Sequence, residues 1–213
     1  MNVFLGNIGI LFLKSAMKFF IVIISLFLSL TVCSESYRDL SFEKLVETAQ
    51  AGDEVAMSFL AENYLHGQGV TQDYLKALKW YKKSAELNYA PAQFNLAVLL
   101  SSDKSLNQDL SQAFFWAEKA AEQNNANAQF LVASFFEQGK GTYKNKANAR
   151  KWYQRAAVQD NPQAQFNLAL MLLKGEGGKV DNKEGMKWLK SAARLNHTQA
   201  KHTLDLINKN TKG

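Results

Sequence analysis

The chain has 213 residues, a formal net charge of +6 and a mean hydropathy of −0.24, with only two prolines and one cysteine. That length suits one domain or one repeat array, the single cysteine excludes a disulfide framework, and so mild a charge excess favours solubility without naming a polyanionic partner. The load of Ala, Leu, Lys, Gln and Asn points to helices rather than sheets.

Residues 1–34 are expected to be an export signal. They contain no acidic residue, carry Lys14 and Lys18, and run apolar from Phe19 to Val32, a basic n-region followed by an apolar h-region. That apolar run of 14 residues is short of the roughly 20 that a spanning helix needs. Met17-Lys18-Phe19 would open a compact signal unaided, which makes Met17 the more natural start. Cleavage after Ser34 fits the small-residue rule. Two alternatives stay open: Leu30-Thr-Val-Cys33 resembles a bacterial lipobox, in which Cys33 would carry lipid, and the signal could remain as an uncleaved anchor. Export places the protein in the periplasm or outside the cell, with lipid anchoring as the variant. Loss of the signal leaves 23 basic against 19 acidic residues, a net charge of +4.

After a short polar linker over 35–40, a helix is predicted from Ser41, a plausible N-cap, to a stop at Gly52. From here the chain repeats itself. Trp80, Trp116, Trp152 and Trp188 stand 36 residues apart, and they are all the tryptophans the protein has. Fixed self-similarity of this period means a helical array. The helix from Ser41 is the second half of an incomplete unit, and four full units open near Glu54, Ala90, Ala126 and Pro162. In each first helix, Ala56, Leu60, Ala61 and Tyr64 and their equivalents make one apolar stripe. In each second helix the inner stripe is Ala77, Trp80, Tyr81, Ser84 and Ala85. Asp73, Asp109, Asn145 and Asp181 are predicted N-caps. Asn88, Asn124, Asp160 and Asn196 are predicted to end the same helices in the left-handed conformation. Pro91 and Pro162 fall where a first turn tolerates a missing N–H. Paired glycines (Gly67 and Gly69, Gly139 and Gly141, Gly175 and Gly177) supply positive φ for the turn inside a unit. The second unit has Asp103 and Ser105 there instead, so its turn should take another path. A last first-type helix, Thr198 to Ile207, closes the array with polar His202 and Asp205 in place of Phe and Ala, and 208–213 is expected to be a flexible tail.

Read from Ala56 to Ala85, the unit runs Ala-x-x-x-Leu-Ala-x-x-Tyr-x-x-Gly-x-Gly-Val-x-x-Asp-x-x-x-Ala-x-x-Trp-Tyr-x-x-Ser-Ala. It resembles the Sel-one-like repeat family, a branch of the tetratricopeptide-like superfamily, and the likeness covers residues 41–207. The resemblance implies an all-α fold, an α/α solenoid wound as a right-handed superhelix, acting as an adaptor or scaffold. Exported bacterial members are linked with envelope assembly, signalling regulation and host interaction. This chain departs from the pattern at the missing glycines of the second unit, at Gly185 for the helix-two alanine and at Ala117 for the tyrosine after Trp116. The cysteine-rich subgroup is not matched.

Strict periodicity assigns the tryptophan column to packing between units rather than to a binding platform. A second column, Phe94, Phe130 and Phe166, faces away from the leucine stripe and either packs on the preceding unit or lines a groove. With Val98, Ser134, Glu137, Leu170 and Leu173 it makes up the candidate partner-binding groove, since first helices line the groove of a solenoid. Lys79, Lys83, Lys119, Lys151, Arg155, Lys187 and Lys190 gather on one face of the second helices, a solvated surface by default and otherwise a contact for an acidic partner or an anionic envelope surface. Catalytic signals are thin. Ser101 and Lys104 have Ser-x-x-Lys spacing without the companion elements of penicillin-recognising enzymes, which leaves a hydrolase of β-lactam-type substrates as the weakest reading. His66, His197 and His202 do not have zinc spacing. The expectation is therefore a non-enzymatic scaffold with no cofactor and no metal. Its partner would be a protein or peptide rather than nucleic acid, with envelope association through lipid or the basic face as the alternative.

Overall fold

The computed structural model describes residues 37–102 and 109–210. The expected export signal with Met17 and Cys33, the expected altered turn at Asp103 and Ser105, and residues 211–213 lie outside the described residues. Those described form helices and no strands. A half unit, α1 (Phe42–Gln50), comes first. Four pairs follow: α2 (Glu54–His66) with α3 (Tyr74–Glu86), α4 (Ala90–Ser101) with α5 (Leu110–Glu122), α6 (Ala126–Gln138) with α7 (Lys146–Ala157), and α8 (Pro162–Lys174) with α9 (Asn182–Arg194). A final half unit is α10 (Thr198–Asn210). The helices in substantial contact are neighbours in sequence, so the chain is an α solenoid in which each helix leans on the one before and the one after.

The start and stop signals act where the sequence puts them. Side-chain oxygens of Asp73, Asp109, Asn145 and Asp181 accept from the backbone N–H three residues on at 2.9 to 3.0 Å, satisfying a donor that the helix leaves free. First helices have their own caps, which the sequence reading passed over: Asp53, Asn125 and Asn161 accept from Ala56, Ala128 and Ala164 at 2.7 to 2.9 Å, and His197 Nδ1 accepts from Ala200 at 3.2 Å. Second helices end on Asn88, Asn124, Asp160 and Asn196, with φ of 66°, 67°, 59° and 64°. Pro91 sits in the first turn of α4 and Pro162 opens α8.

The alanine columns are the closest-packed part of the molecule. Ala56, Ala92, Ala128, Ala164 and Ala200 are fully buried, and so are Ala61, Ala97, Ala133 and Ala169, which lets neighbouring helices approach without voids. In the second helices the residue after each tryptophan is the buried one: Tyr81, Ala117, Tyr153 and Leu189. The tryptophans themselves are half-buried. Trp80, Trp116 and Trp188 each pack against two successive core clusters and so join unit to unit, the packing role their spacing predicts.

The glycine turns serve close approach as well as conformation. Gly141 has φ of 67°, and a Cβ there would also overlap the Leu110 carbonyl of the preceding unit. Gly177 meets the Lys146 carbonyl in the same way. The junction between those two units is tied further by an ion pair, Lys146 Nζ to Glu176 at 3.0 Å, and by Arg150 donating to the Lys179 carbonyl at 2.9 Å. At the amino end, the expected linker is held from Tyr37 on: its hydroxyl donates to Asp53 at 2.7 Å and its ring stacks on Phe59 at 5.9 Å.

Candidate functional site

The candidate groove residues divide into supports and surface. Phe94, Phe130 and Phe166 are half-buried and pack against the core, Phe130 beside the Tyr153 ring of its own unit at 5.7 Å and Phe166 stacked on His197, the cap of α10, at 4.7 Å. Burial holds the His197 imidazole below its ordinary pKa, which keeps the ring that caps α10 neutral near pH 7. Leu170 and Leu173 are half-buried. A Cβ on Gly185 would fall 2.8 Å from Leu173, so the glycine in place of the family alanine makes room for this leucine. Val98, at 42% exposure, is open to solvent. Ser134 accepts from Gln138 at 2.8 Å, and Glu137 accepts from the Tyr153 hydroxyl at 2.7 Å.

That last contact leads to residues the sequence reading left out. Tyr81 and Tyr153 are 2% and 1% exposed, yet their hydroxyls reach polar groups on the first helices. Tyr81 lies beside Asn95 and feels the charge of Glu62; the Tyr153 hydroxyl donates to Glu137 and lies beside Asn167 and Ser134. Burial first, and the nearby carboxylate second, push both phenols far above the ordinary tyrosine range. Each buried hydroxyl therefore keeps its proton and stays a donor. The sequence signal for these sets is a covariation inside the chain. Asn95 and Asn167 stand 14 residues after Tyr81 and Tyr153, while the same step from Ala117 and Leu189 reaches Leu131 and Thr203. Tyrosine travels with asparagine. Where the hydroxyl is missing, so is the amide that would meet it.

The first set opens onto a cleft of about 390 Å³ between α2 and α4, walled by Tyr74, Tyr81, Asn95 and Val98, with Glu62 and His66 at its edge. A second hollow of about 320 Å³ lies on the other side of Glu62, toward Tyr37 and Phe59. Both have the size of a small-ligand or side-chain pocket.

With this architecture in hand the comparisons are decisive. The profile described as Sel1 repeat matches residues 55–89, 90–125, 126–161 and 162–197, most of the chain. The chain belongs to the Sel1 repeat family. Among solved structures it is similar to a protective antigen of uropathogenic Escherichia coli strains that displays an SLR fold, with 27% identity, a TM-score of 0.77 and coverage of 79% of this chain and 36% of that one. It is also similar to a Sel1 repeat protein from Oxalobacter formigenes, with 29% identity, a TM-score of 0.71 and coverage of 78% and 48%. Cysteine rich protein B of Helicobacter pylori matches at 26% identity and a TM-score of 0.50, over 64% of this chain and 98% of that one. The chain thus spans between a third and a half of the length of the first two. No curated protein matches it.

The Sel1 units place their basic residues elsewhere. On the second helices, Lys83 lies over Trp80 at 4.3 Å and Arg155 over Trp152 at 4.4 Å, both half-buried rings, and Lys119 lies over the exposed ring of Phe115 at 5.1 Å. On α9, Lys183, Lys187, Lys190 and Arg194 border an open hollow with Met186. Among the described residues no group of three or more His, Cys, Asp or Glu is placed to hold a metal, and no helix is long and apolar enough to cross a membrane.

Proposed function

We propose that this Sel1 repeat protein is a non-enzymatic, exported scaffold of the cell envelope, which clasps an extended segment of a protein partner along the face made by its first helices. Sel1 repeats generally mediate protein–protein interaction, and the signal-like residues 1–34 support export. The observation that carries the reading is the pair of Tyr–Glu–Asn sets on that face. A solenoid needs apolar columns to stand; it has no structural need for buried tyrosine hydroxyls among carboxylates and amides, one set of them beside an open cleft. Side-chain amides and hydroxyls are the groups that hydrogen-bond a peptide main chain whatever its sequence.

Site-specific photocrosslinking in intact envelopes tests this. A photoreactive residue at Val98 or Phe130 is expected to give a discrete adduct, and one at Lys151 on the second-helix face to give none. Adducts from Lys151 alone, or equal adducts from both faces, would sink the groove assignment. A second reading, attachment to a membrane or cell-wall surface, is favoured by the basic border of α9 and by Cys33 as a lipidation candidate. It requires a lipid mass on the processed N-terminus or salt-sensitive release from membranes. Fractionation as a soluble protein at every salt concentration removes it.

A further inference from the structure

The cleft between α2 and α4 holds chemistry that points to one kind of side chain. Glu62, half-buried at its edge, has no ion pair among the described residues. Half-buried Tyr74 lines the cleft with an aromatic ring, and Tyr81, 2% exposed, lies beneath it with Asn95 beside its hydroxyl. A carboxylate beside aromatic walls suits an ammonium or guanidinium group, which gains from both the charge and the ring faces. An anionic group would meet Glu62 at close range, and an apolar one would cover that carboxylate without pairing it. His66 is the one residue lining the cleft that could carry positive charge, while Arg38 lines the hollow on the other side of Glu62 without forming an ion pair with it among the described residues. The lysines and arginines of the basic face belong to the second helices, where Lys83, Lys119 and Arg155 already cover rings of their own helices. Two units on, Glu137, Tyr153 and Asn167 repeat the combination of carboxylate, hydroxyl and amide, although Glu137 comes from a different position along its helix than Glu62.

We infer that the cleft between α2 and α4 is a specificity pocket for an arginine or lysine side chain of an extended peptide, with Glu62 as its charge partner and Glu137 as a second seat two units further along. The inference rests on the scaffold reading above and narrows it to cationic segments. The seats stand two units apart along the array. The matching ligand is an extended strand with two basic residues, one for each seat.

The test is selection from a displayed library of random twelve-residue peptides at pH 7.5, using the protein in its exported form together with Glu62→Gln and Glu137→Gln variants. Both substitutions keep side-chain size and lie on half-buried surface, and unchanged thermal unfolding confirms that the variants fold. Peptides selected by the natural sequence should show arginine or lysine at two positions a fixed number of residues apart. Glu62→Gln should erase one preference and Glu137→Gln the other. For a peptide selected by the natural sequence, Glu62→Gln should raise Kd about tenfold, the scale of one charge-assisted contact. Selected peptides without a basic preference, or a preference that survives Glu62→Gln, overturn the pocket while leaving peptide binding in place. Failure to select any peptide overturns the groove reading itself, and this inference with it.

Discussion

Gln165 has a fault that its equivalents avoid. Gln93, Gln129 and Gln165 are buried in the first helices, and each donates Nε2 to a carbonyl of the preceding second helix at 3.0 to 3.2 Å and to the residue that ends that helix. In two units the free oxygen is then satisfied from the next unit: Gln123 donates to Gln93, and Gln159 to Gln129, both at 2.7 Å. The next residue on that lattice is Leu195, 41% exposed, and Gln165 Oε1 is buried with no donor among the described residues. An unsatisfied buried acceptor costs on the order of 1 to 3 kcal/mol. Leu195→Gln should therefore stabilise the protein by about 1 kcal/mol and raise Tm by about 2 to 4 °C. Gln159→Leu should make a second orphan at Gln129 and destabilise by a similar or larger amount. Paired denaturant titrations decide the matter: no gain from the first substitution together with no loss from the second would mean these oxygens reach water. The ladder was open to reading in the sequence, since Met57 stands opposite Leu87 while Gln93 stands opposite Gln123, but it requires comparing columns from different helices.

At the scale of the helix, the legible features are those set by local chemistry. Caps, stop residues, proline positions and apolar stripes depend on contacts within one or two turns, and each lies where the sequence placed it. The tryptophan column also packs between units as its strict spacing predicted. Less legible was the part of the second-helix stripe that reaches the opposite surface. Tyr81 reads as one more apolar position, and only its covariation with Asn95 shows that the hydroxyl matters. Glu62 and Glu137 occupy different columns, so no periodic signal joins them. The tyrosines also imply a pH dependence. Their phenols titrate from 10.0 in the unfolded chain and are raised in the folded one, by burial first. Below pH 10 both states hold the proton and the buried pair is fully compatible with folding. As pH rises past 10 the unfolded state loses its protons first, and stability falls. Between pH 9 and 11 the natural protein should lose more stability than a Tyr81→Phe/Tyr153→Phe double variant, measured by urea unfolding at each pH. Equal losses would assign the alkaline sensitivity to lysines instead.

At the scale of the whole molecule, the last described helix departs from the pattern of the internal first helices. Each internal first helix carries a fully buried alanine and, three residues later, a large apolar residue, as in Ala97 with Leu100, Ala133 with Phe136 and Ala169 with Leu172. Among the described residues no second helix follows α10, and the same two positions hold Asp205 and Asn208, both exposed. Beside them Leu206 is 47% exposed and Leu204 and Ile207 are half-buried, so the end face keeps part of the stacking surface with two polar residues across it. A face that resembles the inside of the solenoid invites head-to-tail addition of another copy, which gives open chains rather than closed dimers. Asp205 works against that addition, because stacking would bury its carboxylate away from water. Asp205→Ala restores the internal alanine. The variant should self-associate with rising concentration in sedimentation velocity, while the natural sequence keeps its sedimentation coefficient over the same range. If the variant sediments like the parent, Asp205 does not block addition, and the bar to stacking must lie in the shape of the opposite end.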